Sequence, residues 1–97
     1  MSLGRRRVGL HQQERWVYNR MASAYAARPA YPVALVERLS ALAGPASTGA
    51  HVLDVGAGIG HLSLPLAALG HRVTALEPAL AMLQALQARA RAAALSI

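Results

Sequence analysis

The stretch Val52-Leu53-Asp54-Val55-Gly56-Ala57-Gly58-Ile59-Gly60 constrains this chain more than any other. Apolar residues interrupted by a single acid run straight into three alternating glycines. Without the polar–apolar alternation of a strand that faces water, the run fits a strand covered on both faces, as in a parallel sheet. Helix-forming residues follow from Leu62 to Leu69, Gly70 is a natural helix stop, and Arg72 to Leu76 make a second apolar run. Strand, helix and strand joined by short connections imply a parallel β-α-β unit.

The flanking residues extend that unit. From His11 to about Tyr25, the residues Val17, Met21, Ala24 and Tyr25 recur at helical spacing, which predicts a helix over about 11–25 behind a loose basic tail at 1–10. The prolines of Arg28-Pro29-Ala30-Tyr31-Pro32 break it. A second helix is expected over about 33–43, with Leu35, Val36, Leu39, Leu42 and Ala43 on its apolar face and Gly44-Pro45 as its stop. The strands are placed at about 51–55 and 72–76, and the crossover helix at about 60–69, where Pro65 lies beyond the first turn and should bend it. A last helix covers about 79–94, with Leu80, Leu83, Leu86 and Ala90 on one face. The expected fold class is α/β, a partial Rossmann-like unit of two N-terminal helices followed by β-α-β-α with parallel strands. No repeat or linker divides residues 11–97. Two such strands leave open sheet edges, through which self-association is expected.

Composition narrows the function classes. The 97 residues are 55% hydrophobic and 14% charged, a globular rather than disordered balance, though a chain this short has marginal stability alone. With no cysteine, disulfides, thiolate metal sites and cysteine nucleophiles are excluded, and His11, His51, His61 and His71 are too scattered for a metal site. The net charge is +6, and all ten basic residues are arginine, six of them at or before Arg28. Such an arm suits phosphates or acidic surfaces, but the complete preference for Arg over Lys alongside abundant Ala reads as coding bias, which weighs against nucleic-acid binding. No apolar run approaches the ~18 residues of a membrane span, and the Arg5–Arg7 triplet lacks the apolar segment of a secretory signal, so a cytoplasmic location is expected.

The chemistry gathers at the glycine loop. Gly56, Gly58 and Gly60 allow positive φ and leave no Cβ in the way of a ligand, beyond the carboxyl ends of the strands where α/β sheets bind their ligands. A dinucleotide fingerprint requires G-x-G-x-x-G, which would put the third glycine at position 61; that residue is His61, and Gly60 comes one place early. Asp54 is a poor neighbour for a pyrophosphate and a good one for an ammonium or hydroxyl group. Glu77, at the end of the second strand, is placed to accept hydrogen bonds from both hydroxyls of a ribose. The ligand these residues describe is a ribonucleoside with a cationic amino-acid tail and no phosphates, which matches S-adenosyl-L-methionine. Taken singly, the features have plainer roles: the glycines a tight turn, and Glu77 a cap on the last helix.

Val52-Leu53-Asp54-Val55-Gly56-Ala57-Gly58-Ile59-Gly60 followed by Val73-Thr74-Ala75-Leu76-Glu77-Pro78 resembles the first motif and second-strand acid of class I S-adenosylmethionine-dependent methyltransferases. The stretch Tyr25-Ala26-Ala27-Arg28-Pro29-Ala30-Tyr31-Pro32 is similar to the segment ahead of that motif in the small-molecule branch that includes the ubiquinone/menaquinone C-methyltransferases. The resemblance implies that Asp54 contacts the methionine part of the cofactor, that Gly56, Ala57, Gly58 and Gly60 shape its pocket, and that Glu77 holds the ribose. It implies that Pro78 and Ala79 lie beside the adenine, and that Tyr25 and Arg28 close over the methionine end. Its later strands, which choose and position a small-molecule substrate, have no counterpart here. The chain therefore reads as the N-terminal portion of a truncated class I methyltransferase fold, incomplete as a catalyst by itself and without an identifiable catalytic residue. The alternatives are an NAD-binding half-domain of an oxidoreductase and a non-catalytic basic module that binds nucleic acid.

Overall fold

The computed structural model describes Ala24 and residues 27–97. The tail at 1–10, nearly all of the helix expected over about 11–25, and Tyr25 lie outside the described residues. The element order is helix α1 (Val33–Ala43), a 3-10 turn (Ala46–Thr48), strand β1 (His51–Val55), helix α2 (Ser63–Ala68), strand β2 (Arg72–Leu76) and helix α3 (Leu80–Ala92). β1 and β2 pair in parallel, with His51 opposite Arg72 and Val55 opposite Leu76. The architecture is a small α/β unit with an open two-stranded parallel sheet, in keeping with a partial Rossmann-like fold.

α1 begins where proline fixes the entry: the N–H groups of Leu35 and Val36 both donate to the Pro32 carbonyl, at 3.0 and 3.2 Å. It ends at Gly44, whose φ is 87°. Its buried stripe is narrower than the sequence suggests. Val36 is buried and Leu39 half-buried, whereas Leu35 and Leu42 are exposed, Leu42 by 69%. Only one side of α1 packs into the core with α2 and the sheet, so the outer part of the expected apolar face is left exposed.

α2 corrects the reading of Pro65. The helix starts at Ser63, not near Gly60, so Pro65 is its third residue and lies in the first turn. An i to i−4 bond is already made ahead of it, Leu64 N–H to Gly60 O at 3.0 Å, and the ladder resumes with Leu66 N–H to Leu62 O at 3.2 Å, so the bond missing between them is the one Pro65 cannot donate. Gly70 is the stop that was expected, with φ 94°. The Gly70 N–H donates to Ala67 O at 3.0 Å and the His71 N–H to Leu66 O at 3.2 Å, the paired closure of a Schellman motif. α3 closes in the same way, Ala94 N–H to Arg91 O at 3.1 Å and Leu95 N–H to Ala90 O at 2.8 Å, but its left-handed position is held by Ala94, with φ 55°.

Two apolar clusters hold these elements. Val36, Leu66 and Val73 join α1, α2 and β2, with Leu39, Val52, Leu62 and Ala67 packed around them. Ile59, Ala79 and Met82 join the glycine loop to α3. The sheet is covered on one face only, a departure from the two-sided cover its sequence implies. Val73 is buried and Val52, Asp54 and Ala75 half-buried on one side, while His51, Leu53, Val55, Arg72, Thr74 and Leu76 are exposed on the other, Val55 by 73%. The described helices all pack elsewhere, which leaves that face bare.

Candidate functional site

The loop after β1 is folded across the end of β2. The N–H groups of Gly56 and Ala57 both donate to the Leu76 carbonyl, at 2.8 and 3.1 Å, and the Gly60 N–H closes a turn onto Ala57 O at 3.1 Å. Gly58 is held by a side chain: its N–H donates to Glu77 Oε1 at 2.8 Å. The other carboxylate oxygen, Oε2, accepts the N–H of Ala79 at 2.8 Å, just ahead of α3. Glu77 thus joins the glycine loop to the start of α3 and, with two lone pairs on each oxygen, still has room to accept further bonds.

All three loop glycines have positive φ, 73° at Gly56, 58° at Gly58 and 93° at Gly60, a region that side-chain-bearing residues rarely adopt. Their surroundings differ. A Cβ on Gly56 would meet nothing within 4 Å, and one on Gly58 would stand 3.8 Å from Met82 Sδ. A Cβ on Gly60 would lie 3.0 Å from Leu86 Cγ and 3.1 Å from Leu64 Cγ. Gly60 therefore serves the packing of the loop against α2 and α3, facing the protein interior, and Gly56 borders open space.

Asp54 lies next to the end of β1, on the covered side of the sheet, paired in register with Ala75. The hydroxyl of Ser63, the first residue of α2, donates to Asp54 Oδ2 at 2.6 Å. Ser63 is fully buried and Asp54 half-buried. The parallel register brings Asp54 and Glu77 to the same end of the sheet, two residues from each other along adjacent strands. Pro78 is exposed between Glu77 and the buried Ala79, and Arg28 is exposed ahead of α1. The segment carrying Arg28 reaches the loop through Tyr31, whose ring meets that of His61 edge-on with centroids 6.4 Å apart.

Two polar arrangements were not anticipated from the sequence. Ser63 is the first; its only trace is a lone hydroxyl among the leucines of Leu62-Ser63-Leu64. The second is His71, nearly buried at the start of β2, whose Nε2 is 2.7 Å from Ser40 Oγ on α1 while its Nδ1 is buried without a hydrogen-bond partner. Among the described residues no helix is long and apolar enough to cross a membrane.

The arrangement suits some ligands better than others. A pyrophosphate cradle needs free backbone N–H groups at the helix N-terminus. Here the N–H groups of Gly56, Ala57, Gly58 and Gly60 are all engaged by protein oxygens, and two carboxylates stand at the same end of the sheet. Open space beside Gly56 and unfilled carboxylate lone pairs favour a ligand that donates hydrogen bonds or carries positive charge. No curated protein and no solved structure matches the chain. The segment resembling the quinone C-methyltransferases precedes the one span that does find a match. Residues 52–97, which carry the glycine loop, Glu77 and α3, match the family model described as a methyltransferase domain, and that match supports a methyltransferase-type unit built on β1, α2, β2 and α3.

Proposed function

We propose that this chain binds S-adenosyl-L-methionine across the carboxyl ends of β1 and β2, as the cofactor-binding part of a cytoplasmic methyltransferase that acts on a small molecule. The observation that carries this reading is the pair of carboxylates, Asp54 and Glu77, at the same end of the parallel sheet as the open space beside Gly56, a setting that favours a hydrogen-bond donor or a cation over a phosphate. In this reading Asp54 faces the cationic amino group of the cofactor, Glu77 accepts from the ribose hydroxyls, and Pro78 and Ala79 flank the adenine. Gly56 leaves room for the chain between sugar and amino acid, with Ala57, Gly58 and Gly60 holding the loop in shape. Tyr25 and Arg28 complete the methionine end. The cofactor supplies an electrophilic methyl group, and the residues here bind and orient it; none of them serves as a base toward a substrate. The resemblance of residues 25–32 to the quinone C-methyltransferases supports a small-molecule acceptor.

Calorimetric titration of the purified chain with S-adenosylhomocysteine, and in parallel with NADH, tests the proposal. Saturable binding of the first alone is expected. Binding of NADH alone would replace this reading with the oxidoreductase half-domain.

A further inference from the structure

We propose that Ser63 is a positioning residue of this site, which holds the Asp54 carboxylate in the one orientation that receives a ligand's amino group. The inference rests on the reading that Asp54 faces that group. A fully buried hydroxyl has no water to bond and must donate within the protein, since leaving it unsatisfied is costly. Ser63 donates to Asp54 Oδ2 at 2.6 Å, a short bond of the charge-assisted kind. An aspartate side chain otherwise turns about two torsions, and an acceptor that wanders gives up much of its value to a bound cation. With Oδ2 fixed by α2, rotation of the carboxylate is stopped and Oδ1 is left to the ligand.

The fold places this hydroxyl with some care. Ser63 follows Asp54 by nine positions, and the glycine loop between them turns the chain back so that the first residue of α2 lies beside the end of β1. The segment around it, Leu62 to Leu66, is otherwise leucine and proline, and Leu66 packs into the core with Val36 and Val73. A serine in that company is an oddity for packing, and its role lies in its bond to Asp54. Glu77, by contrast, is fixed by two backbone amides and does not need such a partner.

The test compares two probes that share adenosine and differ in the amino-acid tail: S-adenosylhomocysteine and 5′-methylthioadenosine. Removing a hydrogen bond to a charged group should weaken the first by about tenfold in Ser63→Ala and leave the second within about twofold of the parent. Ser63→Thr, which keeps the hydroxyl, should recover S-adenosylhomocysteine binding. Should Ser63→Ala not fold, Ser63→Cys, nearly the same size and a weak donor, should give the same selective loss. Equal weakening toward both probes would mean that Ser63 only supports packing, and an unchanged affinity for S-adenosylhomocysteine would likewise overturn the proposal. A parent chain that binds neither probe would instead overturn the cofactor reading on which it rests.

Discussion

Gly58 and Glu77 are joined by a 2.8 Å hydrogen bond from a backbone amide to a carboxylate oxygen, across nineteen positions of the chain. The same carboxylate takes the amide of Ala79, so one side chain fixes both the glycine loop and the entry to α3. Glu77→Ala would leave two buried N–H groups without an acceptor and should lower unfolding free energy by about 1–3 kcal/mol in urea denaturation. Glu77→Gln, which keeps one accepting oxygen, should cost less. Both should weaken S-adenosylhomocysteine binding relative to the parent.

The loop glycines should separate by function. Gly60→Ala forces a Cβ against Leu86 and Leu64 at a positive φ and should destabilise the chain by about 2–4 kcal/mol, combining strain with overpacking. Gly56→Asn tolerates positive φ better and points into open space, so the melting temperature should change little while ligand binding is lost. Thermal denaturation and calorimetry on the two variants distinguish these outcomes.

Ser40 and His71 tie α1 to the start of β2. Ser40→Ala would leave both ring nitrogens of a nearly buried histidine unpartnered and should cost about 1–2 kcal/mol. Adding His71→Leu removes the stranded polar group together with its lost partner. The double variant should therefore be more stable than Ser40→Ala alone, as chemical denaturation of the pair would show.

Ala94 occupies the left-handed position that closes α3, where an L side chain is disfavoured by roughly 1–2 kcal/mol. Ala94→Gly relieves this at the cost of added freedom in the unfolded chain. A net gain of about 0.5–1 kcal/mol in unfolding free energy is the expected result.

The bare sheet face carries Leu53, Val55 and Leu76, and the outer edges of β1 and β2 are unpaired among the described residues. We propose self-association through this surface. Leu53→Lys with Val55→Thr should shift sedimentation toward the monomer at high protein concentration. Because both side chains are exposed in the single chain, the melting temperature of dilute protein should hold steady.

Much of this fold is legible in the residues themselves. Both strands announce themselves as short apolar runs bounded by glycine or by Glu77-Pro78, and Gly44 and Gly70 stop helices as their permissive backbone allows. The start of α2 is not legible, because a single helical bond from Leu64 N–H to Gly60 O precedes it and Pro65 interrupts the ladder, so the regular helix opens only at Ser63. Nor is the open sheet face, since an apolar run reads the same whether or not a second layer covers it. At the site, Asp54 and Glu77 stand out as the acids near the carboxyl ends of the two apolar strands. What each acid is bonded to is invisible in the sequence, because Ser63 and the Gly58 amide reach them only through the fold of the loop.

The internal satisfaction of the loop amides has a consequence for how a ligand would arrive. Where a loop is ordered only by its ligand, that ordering is subtracted from the affinity. This loop is already ordered by Leu76 O, Ala57 O and Glu77. A ligand entering beside Gly56 would meet a loop already in shape, so its binding would cost little chain entropy.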